Sequence, residues 1–276
     1  MIEPVARPLS LRHEKVVATR GLPPSPSLAR PLQPLGGLSP ASAVSNHLHV
    51  RFPRSESEPS TWDSLSRRMA EARAVVLSGP STDRRILLAS LNLSERSTLG
   101  ALVANCGGIV IDHGWLRMFA GGCTAMPSLP DANLEGGNPS GDHLVVAYDI
   151  LGGRFAINGS GDRAARGEVC YLAPDTLEWF NLELGHTEFV HWALGDNVEQ
   201  FYRNLRWPGW EHEVADLAFD QGLATYPPPF ASQGIDIATT SRSAVPAVEL
   251  FHYIDEAARQ LAAVPDGEPF EFKFGD

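Results

Sequence analysis

Between His143 and Leu182 the chain presents HLVVAYDI, RFAING, GEVCYLA and LEWFNL, four short runs rich in Val, Ile, Tyr, Phe and Trp. Gly152-Gly153, GSGDRAARG and Pro174-Asp175-Thr176 separate them. Glycine supplies the backbone freedom that tight hairpins need, and Pro and Asp open turns, so strands at this spacing fold back on one another. The pattern predicts an antiparallel meander, with a mixed sheet possible.

Helical periodicity brackets the meander on both sides. In STWDSLSRRMAEARA, Ser60 or Thr61 can cap, and Trp62, Leu65, Met69 and Ala72 recur at helical spacing. The next run, DRRILLASLN, fits a strand or a short helix. SERSTLGALVANCGG predicts a helix from about Ser94 that Gly107 and Gly108 close with a left-handed cap. GIVIDHGWLRMFAGG reads as strand, tight turn, strand, with Asp112, His113 and Gly114 at the bend. Residues 124–142 are loop by composition.

After the meander, HTEFVHWALG and DNVEQFYRNLRW read as two helices. Asp196 and Glu199 form a capping-box pattern for the second, and Phe201, Tyr202 and Leu205 its apolar stripe. WEHEVADLAFDQG reads as a third helix stopped by Gly222, TYPPPFASQG as a rigid loop, and AVELFHYIDEAARQLAAV as a closing helix or strand plus helix. Helices, sheet, helices is the order of an α+β domain.

Residues 1–59 are Pro-, Ser- and Arg-rich and show no sustained period. They read as a disordered extension, or the product of a start assigned too far upstream, leaving 60–276 as a single domain. The net charge of −11 is uneven: residues 1–54 carry seven Arg/Lys against two Asp/Glu, and the remainder carries 15 against 31. An acidic body disfavours phosphate contacts, so nucleic acid is not the expected partner. Cys106, Cys123 and Cys170 are unevenly spaced, without C-x-x-C, which fits a reducing cytoplasm. No apolar run approaches the roughly 18 residues that cross a bilayer.

Each candidate for chemistry has an ordinary structural explanation beside it. WPGWEHEVAD approximates H-E-x-x-H, and on a helix His212 and Asp216 would share a face. A catalytic zinc normally needs a third protein ligand, and His186 and His191, five residues apart, diverge on a helix. No metal or cofactor is expected. Ser140 and Ser160 sit in turns without G-x-S-x-G, and GSGDRAARG leads into a strand rather than a helix that could face phosphate. Asp112, His113 and Arg117 could supply an acid, a base and an anion clamp if the turn brought them to a cleft. Trp115, Trp179, Trp192, Trp207 and Trp210 cluster at element ends. The W-P-G-W bend should leave at least one indole part exposed, a suitable interface anchor, so Trp115, Trp179, Trp207 and Trp210 are the candidate binding residues.

In order along the chain, GGIVIDHGWLRMFAGG, VAYDILGGRFAING, GEVCYLAPDTLEW, EFVHWAL, FYRNLRWPGWEHEV and DQGLATYPP resemble the bacterial family known as domain of unknown function 2625, from about Trp62 to about Val248. That resemblance implies no activity. The layout of helix, glycine-ended turn, strands and closing helices also resembles, more distantly, the SUKH superfamily, which implies binding to protein partners such as secreted toxins. Two readings follow: a non-enzymatic protein-binding domain, or a small-molecule, hydrolase-like enzyme using the Asp112, His113 and Arg117 turn.

Overall fold

A computed structural model of the chain describes residues 17–19, 60–79, 83–135, 143–161, 164–231, 234, 236–265 and 269–271. The proposed extension therefore lies outside the described residues, apart from Val17–Thr19 (β1), which pairs antiparallel with Pro269–Glu271 (β11).

The meander extends further than its four signature runs. Val75–Val76 (β2), Gly108–Ile111 (β3), Leu116–Phe119 (β4), His143–Asp149 (β5), Arg154–Asn158 (β6), Glu168–Leu172 (β7) and Trp179–Gly185 (β8) form one seven-stranded sheet. Spatial order follows chain order, and every neighbouring pair is antiparallel. Thr61–Glu71 (α1), Arg84–Ser90 (α2) and Thr98–Asn105 (α3) precede most of it, and His186–Ala193 (α5), Asn197–Phe201 (α6) and Trp210–Ala215 (α7) follow. The chain ends its core with a hairpin, Gln221–Tyr226 (β9) and Ser241–Pro246 (β10), and the long helix Ala247–Ala262 (α8).

Neighbouring residues on β6 show how the sheet is covered. Successive strand side chains point to opposite faces. The Phe155 ring packs 4.8 Å from Phe189 of α5 and 6.1 Å from Phe201 of α6. Arg154 points the other way, ion-pairs with Asp255 of α8 and lies 5.3 Å from the Phe251 ring. The sheet is thus packed between α5 and α6 on one face and α8 on the other.

Some local readings hold and others are corrected. The α1 start is a full capping box, with Ser60 Oγ accepting from Asp63 N and Asp63 Oδ2 from Ser60 N. DRRILLASLN is helical. The next helix, α3, begins at Thr98 rather than Ser94, capped by Ser97 Oγ at 3.0 Å from Gly100 N. It ends at Cys106 in an extended conformation, not in a left-handed glycine. Gly107 and Gly108 serve close packing instead: a Cβ would collide with the Ser78 carbonyl at the first and the Met126 sulfur at the second.

The expected 124–142 loop contains a helix, Leu129–Glu135 (α4), which Asn133 ties to β5 through both its amide groups, 2.8 and 2.9 Å from Val145 N and O. Residues 136–142 lie outside the described residues. Asp196 has helical φ and ψ, where an N-cap needs an extended backbone, and it makes no capping bond. Gly222 lies within β9, not at the end of α7, and its lack of a side chain permits close approach to the Ile150 carbonyl.

Candidate functional site

The turn between β3 and β4 holds two consecutive non-glycine residues in left-handed backbone conformation. Asp112, His113 and Gly114 have φ of 54°, 57° and 102°. Left-handed geometry at each non-glycine residue costs roughly 1–2 kcal/mol, so the surroundings must hold the turn in place. The Asp112 carboxylate pairs with the Arg206 guanidinium, and Trp115 N donates to the Asp112 carbonyl at 2.9 Å. The missing side chain of Gly114 lets Val214 of α7 approach.

Arg206 is itself held by aromatic faces. Its guanidinium carbon lies 4.1 Å from the Trp210 ring, 4.9 Å from Trp115 and 5.7 Å from Tyr202. Such contacts add electrostatic attraction to the ring faces when desolvated. A second cation closes the cluster: Arg242 grips Glu213 through two bonds of 2.8 and 3.2 Å and lies 4.3 Å from the Trp207 ring, whose Nε1 donates to the same carboxylate. The bonds from Arg242 hold the Glu213 carboxyl below its ordinary range.

This architecture separates the catalytic suspects. Asp112 faces Arg206. His113 is exposed, its ring edge-on to Trp210 at 5.8 Å. Arg117 is fully buried, donating to the carbonyls of Gly114, Ala218 and Gln221 and lying 5.9 Å from the Tyr148 ring. The turn does not assemble the three into one cleft.

The indoles also differ from expectation. Both residues of the W-P-G-W bend are buried, Trp207 at 3% and Trp210 at 8% exposure, and Trp115 is wholly enclosed between them. The bend turns its rings inward because Trp115, some 90 residues earlier, offers the face they pack on. Trp179 is partly buried at the β8 edge, stacked on His143 at 5.5 Å. His212 is exposed on the six-residue α7, and Asp216 caps its C-terminus. Among the described residues no group of three or more His, Cys, Asp or Glu could hold a metal ion. All three cysteines are free, and burial pushes the Cys106 thiol up to about 12, which removes it as a nucleophile near neutrality.

Beneath this surface lies a polar network that motif reasoning missed. Asp149, at 0% exposure, accepts from Leu151 N and Gly153 N at 2.9 and 3.0 Å and from the Tyr171 hydroxyl at 2.7 Å. Burial pushes its carboxyl up to about 6, against the hydrogen bonds that favour the charge, and pushes the Tyr171 hydroxyl well above its ordinary range. The Gly152-Gly153 pair is required by this arrangement: Gly152 is left-handed at 88°, and a Cβ on Gly153 would occupy the space of the Asp149 carboxylate and the Tyr171 hydroxyl. The readable signal was an Asp followed by main-chain donors in D-I-L-G-G, the pattern of a side chain that bonds the turn it opens.

Both clusters lie within the part of the chain that a known family covers. The profile of the family described as protein of unknown function DUF2625 matches residues 54–250. The chain belongs to that family. It is 38% identical over 141 residues to a putative uncharacterized protein, YbfG, of Escherichia coli K12, a match covering 51% of this chain and 65% of that protein, just under two thirds of its length. It is 35% identical over 172 residues to an uncharacterized protein of Haemophilus influenzae, covering 59% of this chain and 75% of the relative. No solved structure gives a significant match. Among the described residues no helix is long and apolar enough to cross a membrane.

Proposed function

We propose that this member of the DUF2625 family is a non-enzymatic, protein-binding domain that works in the cytoplasm. The observation that carries the reading is the commitment of three carboxylates and a buried arginine of the two clusters to structure: Asp112 to Arg206, Glu213 to Arg242, Asp149 to the β5–β6 turn, and Arg117 to three carbonyls. General acid–base chemistry needs such a group within reach of a substrate, and these are engaged or enclosed. Three free cysteines accord with a reducing compartment.

In this reading Trp115, Trp207 and Trp210 form the frame that fixes the Arg206 surface, and Trp179 is the one of the four expected indoles within reach of a partner. The SUKH-like layout would make that partner a toxin, an analogy at the level of fold. Photo-crosslinking in cells that carry the gene, with the reactive residue placed in turn at Val76, His113 and Trp179, tests the proposal. A discrete protein adduct at one position is the expected result. If none forms, and the purified chain shows a hydrolytic turnover that His113→Ala abolishes, an enzyme acting through the exposed His113 takes its place.

A further inference from the structure

Among the described residues, seven antiparallel strands in chain order leave two open edges, β2 and β8. Open edges invite strand addition unless charge, bulges or twist guard them. The β8 edge is guarded: its pairing with β7 slips between Glu168 and Cys170, and Glu183 has a left-handed φ of 56°.

No bulge, proline or charged side chain interrupts Val75–Leu77. Leu77 N donates to the Gly108 carbonyl at 2.9 Å and the Leu77 carbonyl accepts from Gly107 N, so backbone alternation turns the N–H and C=O of Val76 away from β3. Val75 and Val76 are 52% and 41% exposed, and Ile86 on α2, the next element, is 63% exposed.

The stretch of sequence that carries this edge has a charge opposite to that of the rest of the domain. Residues 60–106 carry six arginines (Arg67, Arg68, Arg73, Arg84, Arg85 and Arg96) against four carboxylates, whereas residues 107–276 carry nine basic against 25 acidic residues. Of the four carboxylates, Asp63 and Asp83 cap helices α1 and α2, and Glu95 and Asp83 lie 3.7 Å from Arg84 and Arg85, so the arginines that bear on β2 are Arg67, Arg68 and Arg73. Arg73 lies two residues before Val75, and Arg67 and Arg68 are exposed on the preceding helix.

We propose that β2 is a docking edge for an extended segment of another protein, apolar at alternating positions and acidic between them, which adds to the sheet as an eighth strand. The inference rests on the protein-binding reading and names the partner's chemistry. Main-chain bonds to Val76 would supply the pairing, and the arginines would select the acidic strand. A second copy of the chain fits less well, because two β2 edges laid antiparallel would bring two arginine-flanked strands together.

The test uses the full chain, isotope-labelled, titrated with an eight-residue peptide alternating Val and Glu, and with its counterpart in which Lys replaces Glu. The acidic peptide should shift the amide resonances of residues 75–78 and bind about tenfold tighter than the basic one, an advantage that fades as salt rises. Val76→Pro removes the outward donor while leaving the bonds to β3, a substitution that edge strands tolerate. It should weaken the acidic peptide about tenfold or more, a loss of at least one paired main-chain bond.

Val76→Glu, which keeps the donor and reverses the local charge, should weaken it as well. Equal binding of the two peptides, shifts confined to other strands, or undiminished binding by folded Val76→Pro would overturn the proposal. So would self-association that Val76→Pro abolishes. A crosslinked partner found only at His113 or Trp179 would preserve the protein-binding reading and remove this edge from it.

Discussion

Asp149→Ala is expected to destabilise the domain by about 3–5 kcal/mol, because it leaves two main-chain donors and the Tyr171 hydroxyl buried without their acceptor. Urea unfolding should show a lower midpoint at an unchanged slope. Gly153→Ala, which drives a methyl group into the carboxylate and the hydroxyl, should do at least as much damage. Asp149→Asn behaves differently. The amide oxygen can still accept from the turn, and the amide nitrogen can donate to Tyr171 as the protonated acid would, so this variant should fold.

The comparison of Asn with Asp also fixes a pH dependence. The carboxyl is raised from 3.8 to about 6. Between those values the folded chain holds a proton that the unfolded chain has released, so Asp149's contribution is fully present below about 4 and is lost as pH climbs towards 6. The loss is roughly 3 kcal/mol. Glu213, with its carboxyl lowered, works in the opposite sense: the stability it adds is present above its ordinary 4.5 and lost as pH falls through the lowered value. The measurement is therefore the difference between the stability curves of the wild type and Asp149→Asn, which should slope between pH 4 and 6 and be level above. Parallel curves would show that the carboxyl takes up no proton on folding in this range.

The meander was legible because its information is local. Gly152-Gly153 and Pro174-Asp175-Thr176 set where strands end, and a strand that ends in a tight turn pairs with its neighbour. The same locality explains what was misread. Leu129–Glu135 looked like loop because its surroundings are rich in Pro, Gly and Asn. What makes it a helix is a dock that composition does not record, Asn133 clamped on Val145. The α+β class, the helix capped at Ser60 and the strand–turn–strand around Asp112 needed only neighbours in sequence.

The site was legible only as a set of residue types. Trp207 and Trp210 were recognised, but their burial depends on Trp115, and the role of Asp112 depends on Arg206, 94 residues away. Sequence spacing cannot show that an arginine at one turn will pair with an aspartate at another, so the ion pair of Asp112 with Arg206 was not legible. Asp149 was passed over for the converse reason: its neighbours on the strand are apolar, and nothing beside it resembles a reactive partner, yet it is the acceptor on which the β5–β6 turn is built.

The second large effect is expected at Arg206. Arg206→Ala removes the cation from an ion pair whose arginine side chain is 9% exposed and whose aspartate is 21% exposed, and it empties the space between Trp115, Tyr202 and Trp210. Breaking a buried pair from one side costs about 3–5 kcal/mol. The upper part of that range applies if the left-handed Asp112-His113 turn relaxes once its counter-charge has gone. Arg206→Met keeps the length and the stacking and loses the charge alone, so it should cost less than the alanine. Asp112→Asn should cost less again, because the guanidinium retains its three rings.

In the double variant the missing charges match, and the losses should not add: a coupling of about 1–3 kcal/mol between positions 112 and 206 is expected from denaturant midpoints. Additive losses would mean that the pair behaves like a solvent-exposed one, worth little. The turn would then owe its shape to the close approach of Val214 at Gly114 rather than to charge.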